Sequence, residues 1–210
     1  MIVYNFTKDS KLRNYGFYRP GSSNSITEPV TLAEAKAHLR IESSDDDTYI
    51  TTLISVARGI CENYVGFLLA YNDSLTYYLD RFPDRQEIIL YGISGLDSGT
   101  TIIKYYNKNG VLTTFDATKY NSDEHSIPSR IFLKDGISFP ETDSYKPSAV
   151  QIIFEAGLQG YLMPKPLYQA ILLTIGHLFE NRQNVVVGGK GYDIPQTAEY
   201  LMNPYRVISI

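Results

Sequence analysis

The hydrophobic repeat of this chain changes period twice, and that change constrains the fold more than any other feature. From Thr31 to Gly66 apolar residues recur at helical spacing, from Phe67 to about Leu158 they alternate, and from Pro164 the helical spacing returns. A period of about 3.6 marks a helix with one buried stripe, and a period of two marks a half-buried strand. The expected fold class is therefore α+β. A small helical bundle of three to four helices carries an antiparallel β-rich insertion between its second and third helices. The expected boundaries are an extended N-terminal arm over 1–29, a helical domain from 30–66 and 159–203, an inserted β domain over 67–158 and a C-terminal tail over 204–210.

The first helix announces itself through Thr31-Leu32-Ala33-Glu34. This is a capping box, in which the threonine hydroxyl accepts from an orphan amide and the glutamate reaches back. Leu32, Ala35 and Leu39 share a face, and the helix should end near Arg40. The run Ser43-Ser44-Asp45-Asp46-Asp47 follows. Three adjacent carboxylates invite a cation, but negative charge is also favoured at a helix N-terminus. Ser44 as N-cap with Asp47 three residues on repeats the box. In the second helix Ile50, Leu53, Ile54, Ala57, Cys61 and Tyr64 form the stripe, with Arg58, Glu62 and Asn63 on the other side. Gly66 is suited to close it. In the third helix, opened by Pro164-Lys165-Pro166, Leu167, Ala170, Ile171, Thr174, Ile175 and Leu178 make one face. Leu172, Leu173 and Phe179 cover the rest, so this helix should be buried on several sides, in the bundle centre or at a subunit contact. A short helix to about Met202 should stop at Asn203-Pro204.

Between these helices about six short β-prone runs are expected, around Leu75–Leu79, Glu87–Tyr91, Thr101–Tyr106, Val111–Phe115, Ser129–Leu133 and Ala149–Phe154. Asn107-Lys108-Asn109-Gly110 should join two of them as a hairpin, Gly110 supplying a positive φ. The first 29 residues show neither period and contain Pro20, Gly21 and Pro29, yet they carry Tyr4, Phe6, Tyr15, Phe17 and Tyr18. That is too aromatic for a solvated tail. The arm either packs across its own domain or reaches a neighbouring subunit, and these five residues are the candidate subunit contacts.

Composition narrows the function by exclusion. No apolar run approaches the roughly 20 residues of a membrane helix, and the N-terminal residues lack a signal-peptide pattern, so a soluble cytosolic chain is expected. The lone Cys61 can neither form an internal disulfide nor anchor a cysteine-rich zinc site. It sits on the buried stripe as a small core residue. The net charge is −4, and basic against acidic residues number six to four over 1–44, nine to sixteen over 45–160 and four to three over 161–210. Tight nucleic-acid binding needs clustered cations, and the middle of this chain has the opposite sign. The three histidines, His38, His125 and His177, make no metal pair, and His177 with Glu180 reads as a hydrogen-bonded core pair. Gly188-Gly189-Lys190-Gly191 follows a helix and lacks the phosphate-loop spacing. No catalytic, cofactor-binding or metal-binding residue is expected. Eighteen tyrosines without a tryptophan suit protein interfaces, although strands of the insertion account for part of them.

Three segments carry a family resemblance. Glu28-Pro29-Val30-Thr31-Leu32-Ala33-Glu34-Ala35-Lys36-Ala37-His38-Leu39-Arg40 resembles the opening of the head–tail connector, or adaptor, proteins of tailed bacteriophages. Asp45-Asp46-Asp47 through Arg58 to Glu62-Asn63-Tyr64-Val65-Gly66 is similar to their second helix. Pro166 to Leu173 with His177-Leu178-Phe179-Glu180-Asn181-Arg182 and Tyr205-Arg206-Val207 looks like their closing segment. The resemblance implies a structural, non-enzymatic virion protein. It would form a homo-oligomeric ring, generally of twelve copies, on the portal protein at the head–tail neck, after a period in the host cytoplasm. The ring would extend the DNA channel, let DNA pass without tight binding and offer a platform to stopper or tail-completion proteins. Compact members are essentially helical, so 67–158 departs from their pattern. Tyr200, Tyr205, Arg206, Val207, Ile208 and Ile210 are the candidate portal contacts, and deletion of 203–210 is expected to abolish docking while leaving the fold intact. The alternatives are another head-completion or tail-end protein, such as a stopper, and a carbohydrate- or protein-binding module built on the insertion.

Overall fold

The computed structural model describes residues 17–20, 25–158, 163–182 and 195–207. The chain divides into two compact units. One comprises the described residues of Met1–Ile26 with Tyr71–Gly157, and the other comprises Thr27–Ala70 with the described residues of Leu158–Ile208.

The second unit is helical. Helix α1 (Leu32–Leu39) carries the complete capping box, with the Glu34 amide donating to the Thr31 hydroxyl and the Glu34 carboxylate accepting from the Thr31 amide at 2.8 Å. Thr31, through its side chain and its amide, holds the Glu34 carboxyl below the usual range. Arg40 ends the helix in a left-handed conformation with φ 57°. Helix α2 (Asp47–Val65) is closed by Gly66, whose φ is 86°. Helix α3 (Lys165–Glu180) has Pro166 in its first turn, where the missing amide costs nothing. Helix α4 (Gln196–Met202) runs into a 3₁₀ turn, Asn203–Tyr205. The α-helix stops before Asn203-Pro204 as expected, and the chain makes one further, tighter turn there.

The expected stripe of α2 is largely found. Ile50, Leu53, Ile54, Ala57 and Cys61 are buried, and the α3 residues Leu167, Ala170, Ile171 and Ile175 belong to the same core. Small side chains allow close contact between these helices: Thr174 donates to the Ala170 carbonyl and lies 3.8 Å from the Cys61 sulfur. Leu173, Leu178 and Phe179 on α3 are partly buried against this core.

Two expectations at the helix ends need correction. The N-cap of α2 is Asp46, not Ser44, and its side chain makes no capping bond. The acidic run answers cations instead, Asp47 pairing with Lys36 at 2.5 Å and Asp46 with Arg182 at 3.2 Å. His177 does not pair with Glu180, which is exposed. Its ring nitrogen lies 3.3 Å from the Asn181 amide.

The first unit is all β. Strands β1 (Phe17–Pro20), β2 (Ile26–Thr27), β3 (Tyr71–Leu79), β5 (Ile102–Tyr106), β6 (Leu112–Thr114) and β9 (Val150–Ala156) form a sheet in the order β1-β3-β9-β5-β6, with β2 also on β3. Strands β4 (Glu87–Leu90), β7 (Tyr120–Asp123) and β8 (Ser129–Leu133) form a second sheet in the order β4-β8-β7. The pairs β1–β3, β3–β9, β9–β5, β5–β6, β4–β8 and β8–β7 are antiparallel. Alternation is clean where the sequence predicts it: Leu75, Tyr77 and Leu79 on β3 and Val150, Ile152 and Phe154 on β9 are buried, while their neighbours are half-buried. An aromatic cluster serves both sheets. Phe82 stacks on Phe139 at 4.6 Å and meets Tyr105 and Phe115, and Tyr120 on β7 donates its hydroxyl to the Thr101 carbonyl at 2.8 Å.

The hairpin between β5 and β6 is made as expected. The Gly110 amide donates to the Asn107 carbonyl, and Gly110 has φ 72°. Gly95 is required for a different reason: a β-carbon there would lie 2.5 Å from the Gly157 carbonyl oxygen.

Candidate functional site

Among the described residues no group of three histidine, cysteine or acidic side chains could hold a metal ion. Burial pushes the Cys61 thiol up to about 11, so it stays protonated at neutral pH. His38 and His125 are exposed, and the glycine-rich segment 188–191 lies outside the described residues. What the helical unit offers is a set of tied ends.

The first tie is an ion triad. Arg58 on α2 donates from Nε to Glu28 and from Nη1 to Glu62, each at 2.7 Å. Glu62 is fully buried. Its other oxygen accepts from the amides of Leu69 at 2.8 Å and Ala70 at 3.2 Å. One carboxylate thus satisfies two buried backbone donors just after the helix ends and one guanidinium beneath it. Burial pushes the Glu62 carboxyl above its usual range, against the pull of Arg58 and the two amides. The helical wheel placed Glu62 on the outer side with Arg58 and Asn63. The missed signal was local: the apolar run Phe67-Leu68-Leu69-Ala70 follows Gly66 and needs an acceptor for its amides.

The second tie joins the ends of α2 and α3. The Arg182 guanidinium lies over the rings of Tyr49 at 4.8 Å and Phe179 at 5.2 Å, besides its bond to Asp46. Such cation–π contacts contribute about 0.5–2 kcal/mol each, more as they are desolvated.

The third tie involves the expected portal-contact residues. The Tyr64 hydroxyl donates to Asn203 at 2.7 Å, the Val207 amide donates to the Val65 carbonyl at 2.8 Å, and the Arg206 guanidinium sits 5.4 Å from the Tyr64 ring centre. Tyr205 and Val207 are packed against the helical core, whereas Tyr200 is 67% exposed. Ile208 and Ile210 lie outside the described residues. The segment from Asn203 to Val207 is thus packed into the helical fold, so removing it carries a cost in stability. Of the candidate subunit contacts, Tyr4, Phe6 and Tyr15 lie outside the described residues. Phe17 and Tyr18 lie in β1, in register with Tyr78 and Tyr77. The arm thus contributes an edge strand, a position that tolerates its terminal Pro20.

Residues 29–114 match the family model described as phage gp6-like head-tail connector protein. The match begins beside the α1 capping box and runs through α2 into β6, so it extends past the expected point of departure at residue 67. A chain in the neck of an empty gene transfer agent particle, computed with sixfold symmetry, has TM-score 0.70 and 18% identity. That match covers 92% of this chain and 97% of the other. A chain in the virion of a native gene transfer agent particle has TM-score 0.68 and 17% identity, covering 90% and 97%. Another, in the neck of the native particle computed with twelvefold symmetry, has TM-score 0.60 and 18% identity, covering 89% and 97%. No curated protein matches the sequence. The fold, β unit included, is therefore shared with these chains over nearly their whole length.

Proposed function

We propose that this chain is a structural head–tail connector, a subunit of a ring at the neck between the head and tail of a phage-like particle. The family match over residues 29–114 carries the reading, and the shared fold with neck chains supports it. The chain acts by geometry and not by catalysis. A closed ring uses a head-to-tail interface in which two different surfaces of one chain meet around an axis. The ring sits on the portal protein, continues its channel and receives a stopper or tail-completion protein on the far side. Tyr200 and Arg206, both exposed, are the parts of the C-terminal piece available to the portal. Tyr205 and Val207 act through the shape they give that piece.

The test is electron microscopy of the purified chain mixed with the portal protein of the same particle. Rings stacked on the portal are expected. A folded chain that neither associates with the portal nor forms rings would overturn the proposal. DNA should pass such a ring without being gripped, because each neutralised phosphate adds salt-dependent affinity and so resists movement. In a mobility-shift assay, binding at physiological salt is expected to be weaker than micromolar. Sub-micromolar binding there would contradict the conduit role.

A further inference from the structure

The β unit carries a cationic pocket of about 630 Å³ on a part of the chain that is otherwise acidic. Three connections and the end of β8 at Leu133 build it: residues 81–86 between β3 and β4, the β5–β6 hairpin at Lys108, and residues 138–144 before β9. They bring Arg81, Arg85 and Lys108 to one rim, together with Asp84 and Glu141. Lys108 is already paired with Glu141. Arg81 and Arg85 are exposed, and neither has an ion pair among the described residues. The wall beneath is the Phe82–Phe139 stack, with planes 7° apart, in which Phe82 is buried and Phe139 is half-open. Next in sequence to Ser144, which lines the pocket, Tyr145 is 96% exposed.

We propose that this pocket docks a protein partner through an extended acidic segment carrying an apolar side chain. Two exposed guanidinium groups without an ion pair among the described residues suit carboxylates, which they grip with paired, charge-assisted hydrogen bonds. The half-open Phe139 ring takes the apolar side chain, and Tyr145 adds rigid contact area. Arginine and aromatic residues around a partly desolvated pocket are the composition of protein-interface anchors. Nucleic acid fits less well. A phosphate backbone presents a row of charges, whereas this site sets two exposed arginines beside Asp84 and Glu141 on a segment with sixteen acidic and nine basic residues over 45–160. The inference gives the β insertion a task of its own and stands whether or not the chain forms rings.

The test is fluorescence anisotropy on the full chain with a labelled hexapeptide of alternating glutamate and leucine. A glutamine–leucine hexapeptide, a single-stranded oligonucleotide and inorganic phosphate serve as the other arms. Saturable binding of the glutamate peptide is expected, about tenfold tighter than the glutamine peptide and not displaced by phosphate. Arg81→Ala with Arg85→Ala should weaken it about tenfold. Ser138→Trp, which fills the pocket and keeps both arginines, should do the same. All three positions are exposed, so the unfolding temperature should not change. The proposal fails if the glutamate peptide shows no saturation, if both peptides bind alike, or if the variants bind as the parent does. It fails equally if the oligonucleotide or phosphate takes the same site more tightly, which would assign the pocket to phosphate groups.

Discussion

Replacing Glu62 by alanine is expected to cost about 3–5 kcal/mol of stability, the usual range for breaking a buried ion pair on one side. Glu62 is fully buried, and three donors depend on it: Arg58, Leu69 and Ala70. Alanine removes the Glu62 acceptor from both amides and leaves Glu28 as the ion partner of a largely buried guanidinium. Glu62→Gln keeps an acceptor for the amides and should cost less. Urea unfolding curves measure both, and a loss below about 1 kcal/mol for Glu62→Ala would show that the triad is ornamental. The pH dependence has a definite sign. Because burial raises the folded-state pKa above the unfolded one, the native state holds the proton more firmly. The contribution of this group to stability therefore grows as pH falls through that window and shrinks as pH rises through it. The parent should accordingly lose stability relative to Glu62→Gln between acidic and neutral pH.

Deleting residues 203–210 is expected to lower stability by about 3 kcal/mol. Two hydrogen bonds contribute roughly 1 kcal/mol each, and the apolar contacts of Tyr205 and Val207 supply the remainder. The bonds are those from Tyr64 to Asn203 and from Val207 to Val65. This deletion should weaken portal docking as well, but the loss of stability would confound the result. Tyr200→Ala separates the two effects. Its ring is 67% exposed, so stability should stay within about 0.5 kcal/mol of the parent while stacking on the portal falls. A truncation that unfolds at the parent's urea midpoint would refute the structural role of the segment.

What could be read from the sequence was what is decided locally. Thr31 and Glu34 lie within one turn of each other, and Asn107 to Gly110 within one loop, so their geometry follows from a few residues. Glu62 was misplaced because its environment depends on where the chain goes after Gly66, which a helical wheel does not contain. Strand β7 was missed for a similar reason. Of Tyr120, Asn121, Ser122 and Asp123 only the tyrosine is buried, and the segment is a strand because β8 lies beside it. The cationic pocket was invisible for a third reason, since its rim is assembled from three connections distant in sequence. The end of α4 at Met202, marked by Asn203-Pro204, was legible, but the 3₁₀ turn after it and its packing on α2 depend on contacts that the local sequence does not contain.

The pairing of β3 with β9 has a consequence for how the chain reaches its native state. The helical core joins residues on either side of the β unit; Cys61 and Thr174, in contact, are 113 positions apart. Bringing such distant segments together across a flexible loop is entropically unfavourable and slow. Asn72 stands opposite Ala156, however, so once the β unit folds its two stems emerge side by side. The excursion then behaves as a short tether, and α3 searches for α2 from close range. By the same logic, lengthening or trimming loops within the excursion should leave assembly of the helices nearly untouched, because those stems stay together whatever lies between them.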